Sequence, residues 1–185
     1  MHWSIKPILI VILSLSLPVM GCDKEQETPT ASPSPSVTAT DAASAANATS
    51  ATEPLATYEA IRAQLANDST DGLADKASEL SKQARAAAAG ASGEAKKHLE
   101  ALAGASDALA KEGGDIAAVR KAFGEVSRHL VALLAAQPDL QKGRHVFECP
   151  MAQGYEKWVQ TDATKKNPYM GKKMLECGSE SSWDG

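Results

Sequence analysis

The chain has 185 residues, of which 23% are charged and only 4% aromatic, and its formal net charge is −4. That length suits one ordinary domain, and the absence of any long basic run removes the electrostatic footprint of a nucleic-acid binder. A chain rich in Ala and poor in aromatic residues favours close-packed helices over a sheet.

The N-terminal "MHWSIK" carries one cationic side chain and leads into "PILIVILSLSLPV", an apolar run too short to span a bilayer comfortably. The run ends at Gly21 and Cys22, which resembles a bacterial lipoprotein signal, where the peptide is cut before a Cys that then carries lipid. On this reading residues 1–21 are a signal peptide and Cys22 is the lipidation site. The protein then sits in the bacterial envelope, periplasmic and anchored to the inner or outer membrane. Each buried acyl methylene contributes about 0.8 kcal/mol, so several chains tether firmly. An uncleaved anchor and a plain secretory signal are the competing readings.

Residues 22–53 are mostly Pro, Ser, Thr and Ala, with a single Val, and cannot bury enough apolar surface to offset their chain entropy. They read as a disordered linker, a stalk that lifts a domain off the membrane.

Four helical segments follow over 54–138. "LATYEAIRAQLAND" spaces Tyr58, Ile61 and Leu65 three and four apart. "DGLADKASELSKQARAAAAG" sets Leu73, Ala77, Leu80 and Ala84 on one stripe and stops at Gly90. "GEAKKHLEALAGASDALAKEGG" carries Leu99, Leu102 and Leu109. Asp115 then looks like the N-cap of the strongest segment, where Ile116, Val119, Phe123, Val126, Leu130 and Leu133 form an unbroken seam before Pro138. Short connections imply antiparallel neighbours, so the expectation is an all-α, up-and-down bundle of about four helices.

Residues 139–185 form a C-terminal, loop-rich segment that holds both remaining Cys and the three Met outside the leader. "RHVFE" reads as a short strand, "GYEKWV" as one helical turn, and "NPYMG" as a turn, because Asn before Pro avoids the helical region. So small a segment needs a covalent or metallic staple. In an oxidising compartment Cys149 and Cys177 suit a disulfide, worth about 3 kcal/mol on the chain-entropy model. The neighbours suggest something else: Met151 follows Cys149 by two residues, and Met174 precedes Cys177 by three. Two thiols and two thioethers are soft donors that select Cu(I) over hard cations, whereas Zn²⁺ gains little from Met. His145, four residues before Cys149, and His129, beside the helical seam, are optional further ligands; each also reads as an ordinary solvated side chain. No orienting residue or Gly-rich elbow supports a Cys nucleophile, and no phosphate loop is present, so an enzyme is not expected.

"CPMAQGYEKWVQ" followed by "NPYMGKKMLECG" resembles the end of a helical domain of unknown function in bacterial envelope proteins. That domain occurs alone in lipoproteins and fused to periplasmic adaptor subunits of heavy-metal efflux pumps. The matching residues are Arg120, Phe123 and Ser127, then Cys149, Pro150, Met151 and Ala152, Trp158, Asn167, Pro168, Tyr169, Gly171, Met174, Cys177 and Gly178. Val159 stands where Leu is more usual. The resemblance implies a copper or similar heavy-metal context, with binding or hand-off to an efflux system or metallochaperone rather than catalysis. Its non-catalytic alternative is a structural lipoprotein whose tail is fixed by a Cys149–Cys177 disulfide.

Overall fold

The computed structural model describes residues 52–184. The leader, Cys22 and the linker up to residue 51 lie outside the described residues. Four helices make up most of the fold: α1 (Thr52–Ala66), α2 (Leu73–Gly90), α3 (Gly93–Leu109) and α4 (Ile116–Ala136). Among the described residues, no helix is long and apolar enough to cross a membrane.

The helix ends follow local chemistry. The Asp115 side chain accepts from the Ala117 N–H at 3.1 Å, capping α4 as its position suggests. Between α1 and α2 the "NDSTDG" stretch is a full turn rather than a kink. Asp68 takes φ +58° and Gly72 φ +63°, two left-handed positions that reverse the chain. Leu65 meets Arg120 while Tyr58 meets Ser127, so α1 and α4 run antiparallel.

The helices bury Leu and Ala on the stripes seen in the sequence, with Leu80, Leu102, Leu130 and Leu134 fully enclosed. The α4 seam is wider than its spacing shows. Ile116 is only half-buried, whereas Gly124, Ser127 and Val131 are buried as well. The reason is that α4 packs on α3 with one face and on the C-terminal segment with another.

That segment corrects the all-α expectation: the protein is predominantly helical, with a small sheet. Strands β1 (His145–Glu148), β2 (Lys157–Gln160) and β3 (Ser179–Glu180) form a three-stranded antiparallel sheet in the order β2-β1-β3. "RHVFE" holds the expected strand, but "GYEKWV" gives β2 rather than a helical turn. Val146 opposes Val159 and Phe147 opposes Trp158, and all four are buried. Short 3₁₀ turns at Pro138–Gln141 and Gly171–Met174 complete the segment.

Ring contacts join the sheet to the helices. Tyr58 stacks on Phe123 at 5.2 Å, Phe123 meets Tyr169 at 6.1 Å, Tyr169 meets Trp158 at 6.0 Å, and Trp158 meets Phe147 at 5.6 Å. Arg120 adds a polar junction, donating to Pro168 O at 2.8 Å, Leu65 O at 2.9 Å and Asp68 Oδ1 at 2.6 Å. Gly171, at φ +61°, lies so close that a Cβ would overlap both the Asp68 carboxylate and the Arg120 guanidinium.

Three outcomes follow for stability. Arg120→Ala should cost about 2 kcal/mol in urea unfolding, because two backbone carbonyls lose charged donors. Gly171→Ala should destabilise the same junction through its positive φ and the overlap. The Asp68 carboxyl is held below its ordinary value, chiefly by the hydrogen bond from Arg120. A depressed carboxylate contributes stability above its unfolded pKa and loses it as pH falls through the folded one. Acid titration of the wild type should therefore show a loss below about pH 4 that is smaller in the Arg120→Ala protein.

Candidate functional site

Cys149 directly follows β1, and its backbone leaves the strand in a turn. Its N–H donates to Glu156 O at 3.0 Å, and its carbonyl accepts from Ala152 N at 2.9 Å. The side chain is fully buried. Cys177 follows the second 3₁₀ turn, donating its N–H to Met174 O at 3.0 Å, and is half-buried.

Asn167 holds the two ends of the Cys177 loop together. It is completely buried, and each of its polar groups is used. Its N–H donates to Leu175 O at 2.7 Å and its side-chain amide to Cys177 O at 2.8 Å. Its Oδ1 accepts from Tyr169 N at 2.8 Å and Met170 N at 3.1 Å, which is the Asx-turn geometry that an Asn-Pro pair favours. Gly178 then lets the chain touch β1: at φ +121°, a Cβ there would lie 2.5 Å from Glu148 O and 3.0 Å from Trp158 Cη2. Only glycine fits that contact, so the residue after Cys177 brings Cys177 against the end of β1, which Cys149 directly follows.

The two cysteines are free thiols, and they interact. Burial pushes the Cys177 thiol above its ordinary value, the adjacent Cys149 raises it further by charge and hydrogen bonding, and Lys165 pulls the other way. Cys149 and Cys177 are thus brought together from positions 28 residues apart (177 minus 149).

The histidines are elsewhere. His145 and Cys149 lie on an extended segment, where four residues span about 13 Å. The His145 ring stacks on Phe147 at 6.0 Å, and its Nδ1 lies 3.7 Å from Glu180 Oε1. His129 is partly buried, which lowers its pKa, and its charged neighbours are Glu125, His98 and Arg128 on α3 and α4. Among the described residues, no three His, Cys, Asp or Glu side chains cluster in a way that could hold a metal ion. Met174 is half-buried within the turn before Cys177. Met151 is 55% exposed and lines a pocket of about 270 Å³ together with Met170 and Tyr169. Sequence reasoning overlooked Asn167 and Gly178 as positioning residues and Met170 as a partner of Met151. The "NPY" turn was the available signal for the first.

Iodoacetamide should label Cys177 first in the folded protein, with Cys149 reacting only on unfolding, as mass spectrometry of the peptides would read. Because the Cys177 pKa is raised, the thiolate fraction at neutral pH is small. Labelling should accelerate only at a pH above that of a free cysteine peptide, and Cys149→Ser should move the profile downward.

Compared with family models, curated proteins and solved structures, the chain finds no match.

Proposed function

We propose that the protein is a periplasmic, lipid-anchored module, an up-and-down helical bundle that binds a soft metal ion. Its role is to buffer Cu(I), or pass it to an efflux system or metallochaperone. Cys149 and Cys177 hold the ion, and the half-buried Met174 and the Met151 thioether are the soft donors nearest to them in sequence. The observation that carries the reading is the pair of free, interacting thiols, one of them fully buried, held by Asn167 and Gly178. Their chemistry selects among metals. Two thiolates that gather no third His, Cys, Asp or Glu among the described residues are too few for the four ligands of structural Zn²⁺, and they are too soft for Ca²⁺ or Mg²⁺. His145 and His129 have other neighbours and are not part of the proposed set. The bundle carries the site and performs no catalysis.

The same thiol contact supports a second reading, in which a Cys149–Cys177 disulfide fixes the tail and nothing is bound. The two differ under reducing, anaerobic conditions. Titration of the reduced protein with Cu(I) against a competing chelator should show retention of one equivalent, and Cys149→Ser should abolish it. Retention no better than that of the unfolded chain, or retention unaffected by Cys149→Ser, would leave only the structural disulfide. On that reading, reduction should lower stability by about 3 kcal/mol on the chain-entropy estimate, and Cu(I) should restore none of it.

A further inference from the structure

Met151 is the single exposed large apolar side chain among the described residues. With Met170, Tyr169 and Ala117 it forms the apolar lining of the pocket between the start of α4 and the two C-terminal loops. Arg120, Lys121, Gln153 and Lys173 supply the polar lining, and no acidic side chain contributes. Arg120 is committed to Asp68 and two carbonyls. Lys121 and Lys173 are exposed, and neither forms an ion pair with a described residue.

These facts decide what the pocket can take. A bare cation seated in the pocket between Met151 and Met170 is disfavoured, since two unneutralised ammonium groups border it there. A volume of about 270 Å³ falls just under the range of small-molecule sites and suits one inserted side chain. Thioethers adapt to varied apolar shapes, and an apolar centre with a charged rim is the anatomy of a protein docking point.

We propose that this pocket docks an acidic segment of a partner protein, with one unbranched apolar side chain between Met151 and Met170 and carboxylates on Lys121 and Lys173. Met151 lies two residues beyond Cys149 and Lys173 four before Cys177, so the pocket is lined by the same two loops that carry the thiols. The pocket is formed by its own lining residues and is the same with or without a metal at the thiols.

The test uses the full chain in detergent micelles with a chelator present, so its outcome is independent of Cu(I) binding. The probe is a fluorescein-labelled peptide in which a central methionine is flanked by aspartates and glutamates, read by anisotropy. Saturable binding is expected. Lys121→Glu with Lys173→Glu should weaken it about tenfold and transfer preference to a lysine-flanked version of the peptide. Both positions are exposed, so the circular dichroism melt of this variant should overlay the wild type. Replacing the central methionine of the peptide by glycine should weaken binding to a similar degree. The proposal is overturned if the glycine peptide binds equally, or if the charge reversal has no effect. It is also overturned if citrate displaces the peptide at equal concentration, which would identify a small-anion site.

Discussion

The row of rings from Tyr58 through Phe123, Tyr169 and Trp158 to Phe147 is the contact on which the architecture depends. The helices are built largely from Ala and Leu, and an alanine methyl contributes about 0.8 kcal/mol on burial against about 3 for a ring of phenylalanine size. An Ala-rich bundle therefore packs closely but gains little per residue. The chain has eight aromatic residues, and five of them are spent on one line from α1 across α4 into the sheet. The C-terminal segment is consequently part of the core rather than an appendage stapled to it. Gly124 marks the same closeness, since a Cβ on this face of α4 would meet Tyr155 O at 3.3 Å.

Such an interface also encloses polar groups, and these fix its register. Tyr58 Oη shares a 2.8 Å hydrogen bond with Ser127 and accepts from Val159 N at 3.2 Å, tying α1 to both α4 and β2. Burial pushes this phenol far above its ordinary pKa, so it remains a neutral hydroxyl. Arg62, also buried, spans from Glu59 to Lys166 O and anchors the loop that leads into Asn167. Each buried donor left unpaired would cost about 1–3 kcal/mol, so sliding the tail by one residue loses several terms together. The placement of Cys177 is inherited from this network, because Asn167 is its last member.

The helices were legible because their Leu and Ala recur at three and four, and Asp115 and the glycines mark where they begin and end. The sheet was not. Val146 and Phe147 are buried as neighbours, and so are Trp158, Val159 and Gln160, so the alternation that announces a strand is absent. Both strands are four residues long and pressed between other layers, where period two has no meaning. At the site, the spacing of Cys and Met in the sequence drew attention to sulfur in general. Which sulfurs meet was decided by backbone devices: the left-handed Gly178 and the Asn167 amide. His145 shows the converse error of scale. Even spacing along a strand preserves the face of the sheet but separates the side chains by a helix diameter.

The pairing of β3 with β1 covers only Phe147 with Glu180 and Glu148 with Ser179, and both β3 residues are exposed. A two-residue edge strand has little cooperativity of its own, and the chain beyond it is held by Ser181, which donates to Val146 O and the Glu148 carboxylate, and by Trp183, which packs against the core. The residue after the paired Glu148 is Cys149, the fully buried thiol. The end of the chain is thus clamped beside Cys149 rather than free to open over it, and that thiol stays closed for as long as the core does.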